Sequence, residues 1–341
     1  IHRKTNVIEP RRTHLTPEEL RQMRAAGLDH IRLPVDPVAL GWKPEAGPRM
    51  RDVSRLHSAV NAVLASGLDV IVDIHPDART KEAIENNPAW SNGFVAMWRQ
   101  LALEFRRTPS DRIAFELLNE PQYYGFLGAR IWRHYQERLV RTVRSVLPRH
   151  TLIVSGRGSG FEGLVEMRPL ADPRLIYSFH YYYPGIFTHQ GASWMLDAWT
   201  TARHWADVRY PARVARRNLP YLRDRSNVEA SRDELRAYFL EDWRRARIAS
   251  HLQPLVEWSR RHGVRIYCGE FGVIREGVDP ASRYAWLGDV RSFVESHGWG
   301  WAPWNYSGDF GITTLSNTRG TERGVLEPQA LRALGLGART R

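Results

Sequence analysis

Two glutamates stand at the ends of short apolar runs, where a buried strand would carry each of them to the edge of a sheet. Glu120 closes the run IAFELLNEP (residues 113–121), and Glu270 closes the run VRIYCGEFG (residues 264–272). An apolar run that stops at a carboxylate and then breaks into a loop is typical of a buried parallel strand. Two carboxylates that converge in this way can cleave a glycosidic bond, because one can be protonated to expel the leaving oxygen while the other is ionised.

Other polar side chains gather at the predicted carboxyl ends of the strands. A single buried polar residue is usually structural, since burying it costs free energy unless it is hydrogen-bonded. Six strands that each place polar groups at the same end are hard to explain by core packing alone. The sequence therefore predicts one polar site built from Arg32, Asp73, His75, Asn119, Glu120, His180, Tyr182, Glu270, Trp304 and Asn305.

The elements that would position these residues are eight short apolar runs, most of them separated by amphipathic segments of helical period. The predicted strands are 4–8, 30–35, 69–75, 113–119, 151–156, 175–182, 264–270 and 300–304. No Gly-rich phosphate motif follows the first strand, which argues against a dinucleotide fold. We therefore expect a (β/α)8 TIM barrel over residues 1–341, a single catalytic domain with a long insertion at about 184–247 after the sixth strand.

Six segments, in this order, resemble glycoside hydrolase family 5, the cellulase family: IRLPV, DIHP, ELLNEP, HYYYP, GEFG and WAPWNYSG. The resemblance covers essentially the whole chain and implies a retaining endo-β-glycosidase, with Glu120 as acid/base and Glu270 as nucleophile. It departs from the family at the first strand, which lacks the usual Arg-Gly-x-Asn form, and in the length of the insertion. An ionised Glu270 nearby is expected to raise the pKa of Glu120 and keep it protonated.

The resemblance also implies which residues hold the sugar and the nucleophile. They are Asn119 at the 2-hydroxyl, Arg32 and Tyr182 on Glu270, His75 and His180 along the catalytic subsite, and Trp304 as the stacking platform. Sugar faces present a flat apolar surface to aromatic rings, so Trp194 and Tyr123 are two further, weaker candidates for substrate binding.

Two neighbours of the site have structural interpretations. Glu116, four residues before Glu120, is interpreted as a buried carboxylate paired with a base such as Arg32. Cys268 is the one cysteine, so no internal disulfide forms, and it is interpreted as a small inward-facing core residue.

A metal site is the alternative interpretation of Asp73, His75, His180 and His189. No second closely spaced pair of ligands supports it, so we expect no metal and no cofactor.

The net charge of +12 suggests a polyanion partner at first sight. Only three of the 49 basic residues are lysines, however, and this arginine excess indicates codon bias rather than a phosphate-binding surface. No apolar stretch is long enough to span a membrane. The chain starts at Ile1 with neither an initiator Met nor an apolar signal region. We expect a monomer that is secreted or periplasmic and binds no nucleic acid.

The identity of the substrate stays open at this point. A β-1,4-glucan is favoured as the polysaccharide or oligosaccharide substrate, with mannan, mixed-linkage glucan and a bacterial exopolysaccharide as alternatives. Transglycosylation would use the same residues as hydrolysis. A non-catalytic carbohydrate-binding barrel is the alternative from another class, but it would have no use for a paired acid and nucleophile.

Overall fold

Seven parallel strands form the central sheet of this protein, in a computed structural model that describes residues 15–192, 202–215, 221–222, 228–314 and 324–337. Their order in the sheet is β1-β2-β3-β4-β5-β8-β9. Their bounds are β1 His30–Val35, β2 Asp69–Ile74, β3 Ile113–Glu116, β4 Thr151–Ser155, β5 Leu175–Tyr181, β8 Arg265–Phe271 and β9 Gly300–Pro303. The sheet curls into a nearly closed barrel, which confirms the predicted (β/α)8 class. The predicted strand 4–8 lies outside the described residues.

Helices cover the outside of this sheet. The longer ones are α1 Pro17–Ala25, α2 Val53–Ala65, α3 Ala78–Asn86, α4 Pro88–Phe105, α5 Gly128–Arg144, α10 Arg245–His262 and α11 Pro280–Ser296, and the shorter ones are α6 Glu162–Val165 and α12 Pro328–Ala333. The predicted start of α1 is confirmed, since Thr16 and Glu19 exchange the two hydrogen bonds of a capping box. No helix among the described residues is long and apolar enough to cross a membrane.

The barrel interior is a layer of apolar side chains from alternate strands. Ile71, Ile153, Tyr267 and Ala302 form a cluster of their own, separate from the main core between sheet and helices. Because side chains alternate along a strand, the residues two positions further on point into the same interior, nearer the carboxyl ends. This alternation carries Asp73 and Trp304 towards the carboxyl end of the barrel.

A register shift in β8 changes the alternation next to Glu270. Phe179 pairs with Cys268, whereas His180 pairs with Glu270, so Gly269 is an extra residue opposite β5. Tyr267 and Glu270 therefore both face the interior, although they are three positions apart. A Cβ at position 269 would lie 2.5 Å from Ser178 Oγ, so the bulge needs glycine. Cys268 is a core residue as predicted, but it packs in the main cluster and not inside the barrel, because the shift changes the facing of its neighbours.

The long segment between β5 and α10 is only partly described. It contains α7 Gly185–Thr188, α8 Ala212–Ala215, α9 Val228–Leu240 and an antiparallel pair, β6 Trp205–Ala206 with β7 Tyr221–Leu222. The predicted helix 233–246 is wrong beyond Leu240, where the chain turns before α10 begins. Trp194 lies outside the described residues.

Candidate active site

The two glutamates meet at the carboxyl end of the barrel. Glu270 belongs to β8, and Glu120 follows β3 after a short irregular stretch. One carboxylate oxygen of each and one ring nitrogen of His180 all lie within 4.8 Å of one another. Glu120 adopts a φ of 45°, a left-handed conformation that is rare outside glycine and clusters at functional sites.

Arg32 is the centre of the buried network below the glutamates. Its side chain is fully buried in β1, and it donates to both oxygens of Glu116, at 2.6 and 2.9 Å. It also donates to Glu270 Oε1 at 2.7 Å and to Asn119 Oδ1 at 2.9 Å, and it lies 3.0 Å from Asp73 Oδ2. The guanidinium thus binds three carboxylates and one amide through its planar fork of donors. The predicted pairing of Glu116 with Arg32 is confirmed.

Glu270 is held by two donors on opposite sides. Arg32 binds one carboxylate oxygen, and the Tyr182 hydroxyl donates to the other, Oε2, at 2.9 Å. The carboxylate is nearly fully buried. Because both oxygens accept hydrogen bonds, the carboxylate has one fixed orientation at the end of its strand.

A second chain of hydrogen bonds fixes His75 and Asn119. Nδ1 of His75 donates to Asp73 Oδ2 at 2.9 Å, so Nε2 is free to accept from Asn119 Nδ2 at 3.1 Å. The His75 ring lies against Trp304, with 5.7 Å between centroids and 21° between planes. Burial raises the pKa of Asp73 to about 6, against the attraction of Arg32. The sequence prediction that His75, Asn119 and Trp304 share one site agrees with this arrangement.

His180 is the partner of the Glu120 carboxylate. Its Nδ1 lies 2.7 Å from Glu120 Oε1 and 3.5 Å from Glu270 Oε2. Burial lowers the pKa of His180, but the charge of Glu270 and the bond to Glu120 outweigh it and raise that pKa above its ordinary value. Burial likewise raises the pKa of Glu120, yet the hydrogen bond and charge of His180 hold it well below its usual range. The proton of the pair therefore resides on the imidazole.

This location of the proton corrects the expectation that Glu270 keeps Glu120 protonated. The nearest charged neighbour of Glu120 is the cationic imidazole of His180, which Glu270 itself helps to keep charged. The negative charge of Glu270 thus raises the pKa of the histidine, and the acid proton is stored one hydrogen bond away from the carboxylate.

Lys81 is a site residue that the sequence did not reveal. It lies buried on α3 and its ammonium donates to the backbone carbonyl of Glu120 at 3.2 Å. Its charge also lowers the pKa of Glu120. Only its rarity, as one of three lysines among 49 basic residues, could have drawn attention to it.

Tyr123 lies apart from this network in its packing. Its side chain is only 8% exposed, and its ring stacks on Trp132 with 5.4 Å between centroids. The next two aromatic residues of the loop, Tyr124 and Phe126, are exposed instead.

Glu120, His180 and Glu270 are the set among the described residues that could hold a metal ion. Their ligand atoms are already engaged, however. Arg32 and Tyr182 donate to Glu270, and His180 bonds Glu120. A guanidinium 2.7 Å from Glu270 also opposes a second cation there. The donor set fits a proton and a sugar better than a metal.

Comparison with known proteins decides the family. The sequence model of the cellulase family, glycosyl hydrolase family 5, matches residues 12–310. The chain belongs to glycosyl hydrolase family 5. It is therefore an O-glycosyl hydrolase, and its polar strand ends belong to a glycan-cleaving barrel.

Individual members of family 5 resemble the chain over nearly its full length. Endoglucanase C of Acetivibrio thermocellus is 27% identical over 311 residues, which are 86% of this chain and 84% of that protein. The crystal structure of a hyperthermophilic endo-β-1,4-glucanase in complex with substrate is 25% identical with a TM-score of 0.73, and the match covers 98% of this chain and 96% of that one. Cel5A of Thermotoga maritima in complex with cellobiose is 24% identical with a TM-score of 0.74, again over 98% and 96%.

Proposed function

We propose that this protein is a retaining endo-β-1,4-glucanase in which Glu270 is the nucleophile and Glu120 is the acid/base. The observation that carries the proposal is the separation of at most 4.8 Å between one oxygen of each carboxylate. Retaining glycosidases place the two carboxyl groups about 5–5.5 Å apart, whereas inverting enzymes need about 6.5–9.5 Å to admit a water. The names of the Acetivibrio relative and of the endo-β-1,4-glucanase neighbour favour β-1,4-glucan as the polymer.

In the first step, Glu270 attacks the anomeric carbon and the glycosidic bond breaks. The hydrogen bonds from Arg32 and Tyr182 favour the ionised carboxylate and aim it. The leaving oxygen takes a proton through Glu120, whose side chain is 28% exposed and so reaches the cleft. In the second step, Glu120 accepts a proton from water, which releases the sugar from Glu270 with retained configuration.

His180 supplies the proton store for both steps. It shares one proton with Glu120 across 2.7 Å, so the pair loses that proton as one coupled unit. When the substrate excludes water and the leaving oxygen gains negative charge, transfer of this proton through Glu120 becomes favourable. The raised pKa of His180 keeps the store filled above pH 6.5.

The sugar is held by groups that the network leaves available. The side-chain amide of Asn119 has two N–H donors, and His75 takes one of them, which leaves the second for the sugar 2-hydroxyl. Trp304 is partly exposed and faces the cleft from the end of β9, where its ring can stack on the sugar. A polymeric substrate places the enzyme outside the cytoplasm, and we propose a monomeric, single catalytic domain.

Three measurements test this function. Wild-type protein is incubated with swollen cellulose, mannan and mixed-linkage glucan, and the anomers first released are followed by proton NMR. We expect β-1,4-glucan to be cleaved internally with β products first. Glu270→Gln should lose covalent labelling by a fluorinated glycoside, while Glu120→Gln should still be labelled by a substrate with an activated leaving group. α products, or labelling that persists in Glu270→Gln, would contradict the assignment.

A further inference from the structure

The loop after Glu120 carries the most exposed aromatic residues of the described chain. Phe126 is 101% exposed and Tyr124 is 75% exposed, and Leu127 and Ile131 next to them are more than half exposed. We call these four residues the Phe126 patch. Exposed apolar residues that occur singly need no explanation, but a contiguous group on a soluble protein marks a binding surface.

This loop is fixed at its base, so the exposure of the patch is built into the fold. The backbone N–H of Gly158 donates to Pro121 O, and the N–H of Gln122 donates to Glu85 Oε1, both at 2.5 Å. Tyr123 anchors the middle of the loop in the core. Gly128 N–H donates to Gly125 O at 3.1 Å, and a Cβ at position 128 would collide with the carbonyl of Tyr123. The backbone thus buries one aromatic residue and turns the next two outward.

The position of the loop follows from the chemistry of Glu120. A general acid lies beside the leaving oxygen, so the chain that continues from it runs along the leaving-group side of the cleft. Phe126 is six residues from Glu120, and six residues span at most about 20 Å. The patch therefore lies within a few sugar units of the bond that breaks.

The charge of the loop indicates what it binds. Residues 121–129, PQYYGFLGA, contain no charged side chain in a protein of net charge +12. An acidic polymer or an anionic lipid surface would be met by arginines, which are abundant elsewhere in this chain. Aromatic rings without charge suit the apolar faces of neutral sugars.

We infer that the Phe126 patch binds the sugar units on the leaving-group side of a neutral β-glucan chain, through Tyr124 and Phe126. This inference rests on the proposed function, since it takes Glu120 as the acid/base. The patch makes the enzyme prefer polymers over short glycosides, because only a polymer extends past the cleaved bond to the two rings.

The test compares two substrates in one variant. In Tyr124→Ala/Phe126→Ala we expect kcat/KM on swollen cellulose to fall about tenfold, the effect of about 1.4 kcal/mol of lost stacking. An aryl cellobioside has no sugar on the leaving-group side, so its kcat/KM should stay within twofold of the wild type. Leu240→Ala removes a side chain that is 82% exposed on α9 and serves as the control that should change neither rate. Phe126→Trp should retain the polymer rate.

Each contrary result has a distinct meaning. An unchanged polymer rate in the double variant would overturn the inference, and so would a parallel fall on both substrates. A change of oligomeric state without a change in polymer cleavage would show instead that the patch joins copies of the chain. If the wild type cleaves neither substrate, the proposed function fails together with the inference, whereas normal turnover of the aryl cellobioside leaves the proposed function standing.

Discussion

Replacement of Arg32 by lysine tests whether the buried network positions the nucleophile. The substitution keeps the positive charge but removes the planar fork of donors. Arginine makes five contacts of 3.0 Å or less in this site, with Glu116, Glu270, Asn119 and Asp73. An ammonium has three donors, so at least two of these contacts are lost.

The magnitude follows from that loss. A hydrogen bond to a charged group contributes about 1.5–3 kcal/mol, so two lost contacts predict a fall of about 3–6 kcal/mol in the free energy of unfolding. At about 2 °C per kcal/mol for a chain of this size, Tm should fall by about 6–12 °C. If Glu270 loses its bond from residue 32, about 2 kcal/mol of its alignment is lost, and labelling by a fluorinated glycoside should slow about 30-fold.

Arg283→Lys is the matched control. Arg283 is also buried, but it donates to the backbone carbonyls of Val273, Phe310 and Gly311 rather than to the catalytic carboxylates. We expect a comparable fall in Tm with a labelling rate close to that of the wild type. Unfolding is followed by circular dichroism, and labelling by intact-protein mass spectrometry.

Two results would refute this reasoning. If Arg32→Lys keeps both the wild-type Tm and the wild-type labelling rate, the network does not depend on the guanidinium fork. If both variants lose labelling to the same extent, the effect comes from general destabilisation and not from the contact between Arg32 and Glu270.

Three other perturbations give defined outcomes. Burial lowers the pKa of His189 to about 4, so the unfolded chain takes up a proton below pH 6.5 that the folded chain refuses, and about 3 kcal/mol of stability should be lost between pH 6.5 and 4. His189→Gln should reduce this loss in urea titrations at pH 7 and 4.5, and an unchanged loss would contradict the assignment. His180→Asn moves the stored proton from an imidazole to a carboxyl group, so the alkaline limb of kcat/KM for an aryl cellobioside should shift to lower pH, and an unmoved limb would show that His180 does not hold the proton. Dialysis against a chelator should leave the rate unchanged, because Arg32 and Tyr182 already satisfy Glu270; a loss of rate that a divalent cation restores would reveal a metal site.

The bulge at Gly269 shows where sequence reasoning about the strands stops being sufficient. Alternation along β8 predicted that Cys268 and Glu270 share a face, and the extra residue separates them. Nothing in the local sequence fixes a register shift, because it depends on which residues of β5 lie opposite. Tyr123 illustrates the same limit, since its burial depends on Trp132 and Tyr135 from the following helix.

The sequence by itself determined the chemistry available at the site and the order of the strands that carry it. Apolar runs that end in Glu120 and Glu270 are local patterns, and parallel strands bring their carboxyl ends together in any closed barrel. Only the tertiary structure decided which groups share protons and charges. Arg32 meets Glu270 across 238 positions of sequence, and His180 meets Glu120 across 60. The pKa of a carboxyl group depends on burial and on charges a few ångströms away, and neither is encoded in the neighbouring residues, so the proton on His180 became visible only once the chain was folded.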